Sequence, residues 1–150
     1  MATMGFQPID ANGVRTVHLP SLASTGTFVK GDAVYLNAGL VTKAASGTAV
    51  DSIFGVAAAD NTVASAVVPV YVADPSSVWI GSADAATLDA YVGENYGLNI
   101  TSGSMSVGIS LTTNTLVRII DLFPADGPKA LGRVLFCWKS TAIQGNIVAN

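Results

Sequence analysis

The stretch Val67-Val68-Pro69-Val70-Tyr71-Val72-Ala73-Asp74-Pro75-Ser76-Ser77-Val78-Trp79-Ile80-Gly81 constrains the fold more than any other part of the chain. Val67 to Val72 is dense in β-branched and aromatic residues, which pack well on a pleated surface and lose rotamer freedom in a helix. Asp-Pro-Ser-Ser supplies a side-chain acceptor and a fixed φ, and Val78-Trp79-Ile80 then resumes an extended run. The stretch is expected to be a β-hairpin. Pro69 has no N–H to give to a ladder, so its nitrogen is expected to face an edge, a bulge or solvent.

Similar short runs lie on both sides. Thr27-Phe28-Val29-Lys30, a Gly31-Asp32 turn, Ala33-Val34-Tyr35-Leu36, Asn37-Ala38-Gly39 and Leu40-Val41-Thr42-Lys43 carry hairpin chemistry. Ile53 to Ala59 reads as a strand in which Gly55 marks a bulge or a close backbone approach. Val107, Ile109 and Leu111 alternate with small polar residues, the pattern of a half-buried strand. Leu116 to Leu122 is longer and less alternating, as expected of a central strand. In Arg133 to Lys139, Val134, Phe136 and Trp138 share one face. Ser82 to Gly93 is the one stretch with helix signals: capping residues at Ser82 or Asp84, then Ala85, Leu88 and Val92 on one face, and Gly93 as terminator.

Seven to nine short strands with at most one short helix predict an all-β fold, a small antiparallel β-barrel or sandwich of tulip-like form. Residues 1–26 hold Pro8, Gly13, Pro20 and Gly26 among scattered apolar residues and no sustained period, so an extended N-terminal arm is expected there. The β-barrel domain is expected over 27–142 and a C-terminal tail over 143–150. The predicted core includes Val70, Val72, Ile80, Val107, Ile109, Ile119, Val134 and Phe136.

Composition narrows the function. With 150 residues and half of them hydrophobic, one domain can build a core without staples. Charged residues are only 11% of the chain, so much of its surface is small and neutral, which favours a partner surface or self-association. The net charge is −3 and the seven basic residues are scattered, so no patch suited to a phosphate backbone is visible and no nucleic-acid partner is expected. The longest apolar run, Val63 to Ala73, contains Ser65 and Pro69 and is far short of a membrane-spanning helix, so no membrane partner is expected. The N-terminus lacks the basic and apolar regions of a secretory signal, and folding in a cytoplasm is the expectation. A lone Cys137 excludes an internal disulfide.

No enzyme is expected, because no catalytic signature is present. His18 is the only histidine and has no nucleophile or second histidine at a familiar spacing, so a partner contact suits it better than a triad or zinc site. Cys137 sits beside Phe136 and Trp138, where a thiol acts as a small hydrophobe. Asp74, Asp84, Asp89 and Glu94 match no calcium loop; a turn explains Asp74, a cap explains Asp84, and a solvated surface explains the set. Asn99-Ile100-Thr101 is a chance glycosylation tripeptide. Trp79 and Trp138 are assigned to the core, the alternative being a sugar-binding face. No cofactor and no metal site is expected.

The order of the strand motifs carries further meaning. Thr27-Phe-Val-Lys-Gly-Asp-Ala-Val-Tyr-Leu, Gly-Leu-Val-Thr-Lys-Ala, Ile-Phe-Gly-Val-Ala, Val-Pro-Val-Tyr-Val-Ala-Asp, Trp79-Ile-Gly, Leu-Val-Arg-Ile-Ile-Asp-Leu and Gly-Arg-Val-Leu-Phe follow one another over residues 27 to 140. This succession resembles the head-decoration (cement) proteins of tailed bacteriophages. The resemblance implies a β-barrel or tulip-like domain, usually trimeric, that binds the outer face of the expanded phage head and clamps neighbouring subunits of the major capsid protein. It implies no individual functional residue, since the matching motifs are fold positions. Within the arm, Val17, His18, Leu19 and Leu22 are the expected partner contacts. Two other classes stay open: a carbohydrate- or receptor-binding β-module, which needs exposed aromatics, and a hydrolase, which needs His18 beside a nucleophile and an acid.

Overall fold

The computed structural model describes residues 5–9, 14, 16–20, 27–46, 48, 52–63, 66–101, 104–123 and 132–144. Its strands are β1 (Gln7–Pro8), β2 (Thr16–Pro20), β3 (Ala33–Asn37), β4 (Leu40–Lys43), β5 (Gly55–Ala57), β6 (Val67–Val72), β7 (Trp79–Ser82), β8 (Asn95–Thr101), β9 (Ser104–Gly108), β10 (Val117–Phe123) and β11 (Arg133–Trp138). They form a six-stranded sheet of order β1-β7-β11-β10-β8-β9 and a five-stranded sheet of order β2-β6-β5-β3-β4, with every neighbouring pair antiparallel. The protein is thus all-β, with two antiparallel sheets. Both curl. β9 returns to the end of β7 through a bridge between Ala83 and Val107, and the two edge strands of the five-stranded sheet, β2 and β4, approach one another.

The β3–β4 hairpin follows the expected chemistry. Asn37 pairs with Leu40 across a two-residue turn in which Ala38 and Gly39 both have positive φ, 51° and 80°, the conformation that matches the twist of the strands. Gly55 is required by close approach, because a Cβ there would run into the Tyr71 carbonyl oxygen of the neighbouring strand. Pro69 lies opposite His18 in β2, and its carbonyl accepts from Ala58 N–H at 2.9 Å. Its nitrogen therefore faces the same side as that carbonyl, just past the last β5–β6 pair, Ala57 with Val70, where no ladder donor is needed.

Four expectations give way. First, β6 and β7 are not a hairpin: β6 belongs to the five-stranded sheet and β7 to the six-stranded one. Asp74 still makes its turn, accepting from Ser76 N–H at 2.8 Å and Ser76 Oγ at 2.7 Å, but the turn carries the chain from one sheet to the other.

Second, the described residues of segment 1–26 are not an arm outside the sheets. β1 pairs with β7, β2 pairs with β6, and Phe6 is 1% exposed in the main core. Gly5 and Gly31 pack backbone to backbone, Phe6 N–H donates to Gly31 O at 2.8 Å, and the Phe6 ring covers Gly81. Scattered apolar residues there serve long-range pairing, which local periodicity does not reveal. The tail is likewise anchored where it is described: Ile143 bridges Ile53, and the Gln144 side chain holds both backbone groups of Leu36 at 2.7 Å each.

Third, Ser82 to Gly93 forms no α-helix. Ser82 ends β7, and helical backbone is limited to a 3-10 turn at Asp89–Tyr91 with no buried residue. Fourth, the alternation read over 107–111 stops at Gly108. Leu111 folds back over the Gly97–Gly108 pair, whose missing side chains leave it room, and Met105 to Gly108 are all buried.

The main core lies between the sheets and is aromatic. Phe6, Phe136 and Trp138 meet edge to face at 5.1–6.0 Å, Trp79 meets Trp138 at 6.2 Å, and Tyr71 reaches across from the other sheet to Trp79 at 6.3 Å. A smaller core of Phe28, Val34, Val41, Ala57, Val68 and Val70 fills the inside of the five-stranded sheet. Of the residues expected in the core, Val72 and Ile109 are only half-buried; Val70, Ile80, Val107, Ile119, Val134 and Phe136 are buried.

Candidate interaction surface

The sequence singles out Val17, His18, Leu19 and Leu22 as partner contacts. Val17, His18 and Leu19 occupy β2, in register with Val70, Pro69 and Val68, so they are held in a strand of the body. Leu22 lies outside the described residues. Among the described residues β2 is the last strand of its sheet: its backbone pairs with β6 on one side, and its other edge approaches β4.

Three carboxylates have structural partners. Asp84 accepts from Asn99 Nδ2 at 2.7 Å and from Ile109 N–H at 2.8 Å, tying the end of β7 to β8 and to the turn after β9. It is therefore a half-buried brace rather than a cap or a solvated charge, a role no local signal announces. Asp32, 2% exposed, accepts from Val29 N–H at 3.0 Å and pairs with Lys43 Nζ at 3.0 Å. Hydrogen bonds from the Ser76 backbone and hydroxyl hold the Asp74 carboxyl below its ordinary value. Among the described residues no three His, Cys, Asp or Glu side chains gather into a metal-binding group.

A shallow open cleft of about 270 Å³ is lined by Glu94, Asn95, Tyr96, Thr112 and Thr115. Burial, then the charge of Glu94 and the Tyr91 phenol, push the Tyr96 phenol up. Glu94 is the one carboxylate in this lining. Trp79 and Trp138 are both fully buried, and their indole N–H groups meet no acceptor among the described residues. Neither offers a platform for a sugar ring. Among the described residues no helix is long and apolar enough to cross a membrane.

What the surface does present is apolar residues and arginine. Ile9, Val78, Ile120 and Phe123 are 52, 37, 42 and 39% exposed, and Arg133 stacks over the Phe123 ring at 4.8 Å. Ile120 is the extra residue of a bulge: Ile119 pairs with Phe136 and Asp121 with Leu135, so both Ile120 and Asp121 turn outward. This bulge is what the weak alternation of Leu116 to Leu122 reflects. Such a mixture of aliphatic, aromatic and arginine side chains is typical of protein contact surfaces. No protein-family model matches the chain, and no curated protein gives a significant match.

Proposed function

We propose that this is a non-enzymatic head-decoration protein of a tailed bacteriophage, which binds the outer face of the capsid and stabilises it by clamping neighbouring major capsid subunits. The observation that carries the reading is the ordered succession of motifs over residues 27 to 140 that resembles this family. Those motifs fall on β3, β4, β5, β6, β7, β10 and β11, seven of the eleven strands. The low charge and the exposed apolar residues support an assembly role. The trimer that the resemblance implies belongs to the capsid-bound state. The sugar-binding alternative draws no support from Trp79 or Trp138, which lie inside.

The test is addition of the purified protein to expanded, undecorated heads of the phage that encodes it. Saturable density on the outer surface by electron microscopy, with heads that withstand more heat before releasing DNA, is the expected result. Heads left bare at saturating protein would overturn the reading.

A further inference from the structure

The chain divides near its middle into two halves, each the source of one sheet. Residues up to Asp74 carry β2 to β6, the whole five-stranded sheet, and residues from Pro75 onward carry β7 to β11, the six-stranded sheet without β1. The link between the halves is the turn Asp74-Pro75-Ser76, all three residues of which are exposed. Asp74-Pro75 is also the only Asp–Pro peptide bond in the sequence.

Each half reaches back into the other. From the first, β1 pairs with β7, Ile9 N–H donates to Val78 O at 2.9 Å, and the Phe6 ring enters the aromatic core against Phe136 and Trp138. From the second, Gln144 holds both backbone groups of Leu36, and Ala142 O accepts from Ile53 N–H at 2.9 Å. The main core takes buried residues from both halves. None of these contacts depends on the bond between Asp74 and Pro75.

The chemistry of the turn provides a way to break that bond. An X–Pro bond is a tertiary amide whose nitrogen carries no N–H. In acid the protonated Asp74 carboxyl attacks its own backbone carbonyl carbon and forms a C–O bond. The C–N bond to Pro75 then breaks, the carboxyl proton passes to the Pro75 nitrogen, and water opens the cyclic anhydride to leave two carboxyl groups on residue 74. Ser76 N–H and Oγ both hold Oδ1, so Oδ2 has no hydrogen-bond partner among the described residues. Ser77 N–H donates to the attacked carbonyl oxygen at 3.2 Å, where negative charge develops.

We infer that Asp74-Pro75 is a scission point at which the backbone opens in acid into residues 1–74 and 75–150, and that the two halves hold the native fold together at neutral pH without it. The binding partner of each half is thus the other half. The inference concerns the free chain and stands without the capsid reading.

The experiment holds the full chain in dilute acid, returns it to neutral pH and follows it by intact mass spectrometry and gel filtration. Two fragments with the masses of residues 1–74 and 75–150 are expected in denaturant, and one species eluting with the uncut protein in its absence. Tryptophan fluorescence should remain that of the buried Trp79 and Trp138, and the unfolding midpoint should now rise with protein concentration, because folding has become bimolecular. Pro75→Ala should lose the scission. Where acid leaves the protein insoluble, scission is still read in denaturant, and association is read on a full chain with a protease site inserted between Pro75 and Ser76 and cut at neutral pH. A chain that stays intact in acid or is cut first elsewhere would overturn the inference, as would a Pro75→Ala variant cut as fast as wild type or halves that separate at neutral pH.

Discussion

The two sheets bury their residues in different ways. Along β11 the chain alternates: Val134, Phe136 and Trp138 point into the aromatic core, while Arg133, Leu135 and Cys137 point out. In the five-stranded sheet, Ala33 and Val34 of β3 and all three residues of β5 are buried, because this sheet has the main core on one face and its own small core on the other. A sheet covered on one side leaves period-two alternation in the sequence, and a sheet covered on both erases it. Within the six-stranded sheet, β10 and β11 thus keep an outward face, whereas β7, buried at all four residues, and the middle of the five-stranded sheet do not.

The strongest way to break that contrast is to remove what joins the two sheets. Deleting residues 2–24 takes away β1, β2 and Phe6, and so uncovers β7, β6 and the aromatic cluster together. Loss of the cooperative thermal transition in circular dichroism is expected. A deletion variant that melts like the full chain would show that both sheets close without this segment.

Next in size is the difference between the cores. Phe136→Ala should cost about 3–5 kcal/mol, since the ring is fully buried against Phe6 and Trp138, and the melting temperature should fall by roughly 10 °C or more. Val70→Ala in the small core removes only two methyl groups and should cost about 2 kcal/mol. Denaturant titration followed by fluorescence and by circular dichroism measures both. Coincident curves in both variants mean that the cores unfold as one; a separated first phase in Val70→Ala alone would make the five-stranded sheet an independent unit.

A smaller effect belongs to the brace at the end of β7. Asp84→Ala leaves the Ile109 N–H and the Asn99 amide without their acceptor, and about 1–2 kcal/mol is expected from chemical denaturation. Asp84→Asn keeps an acceptor and should recover part of the loss.

How much of this was legible follows from the range of each signal. The Asn37-Ala38-Gly39-Leu40 turn is chosen by its own residues, and the core face of β11 by strict alternation, so both could be read directly. The turn at Asp74 was legible as a reversal, but a reversal does not say which sheet the next strand joins, so the β6–β7 hairpin was a wrong inference from a right turn. β1 has two residues, too few for any period, and β2 ends in Pro20; their place is set by pairing with β7 and β6, far along the chain. On the surface, Val17, His18 and Leu19 were picked from an expected free arm. That Arg118 and Asp121 both face outward does not follow from the sequence, because the Ile120 bulge shifts the alternation along β10.

The smallest expected effect concerns the turn that carries the chain between the sheets. Its physical basis is that the Asp74 carboxylate accepts from the Ser76 N–H and hydroxyl, which favours the charged form and lowers its pKa. A lowered folded pKa means the folded state holds the proton less tightly than the unfolded one. The stabilisation is therefore complete above the unfolded carboxyl value of about 3.9 and is lost as pH falls through the lower, folded value. Because Asp74 is exposed, solvent screens the contribution. The measurement is the melting temperature of wild type against Asp74→Asn at neutral pH and again as the pH is lowered through the folded carboxyl value, where the wild-type group becomes neutral. Asn keeps an oxygen for the Ser76 N–H but carries no charge, so the variant should melt slightly lower at neutral pH and the gap should narrow in acid. A gap that widens in acid would mean that the charge of Asp74 opposes the turn, and that Pro75 and the Ser77 N–H, which donates to the Asp74 carbonyl at 3.2 Å, hold the crossing on their own.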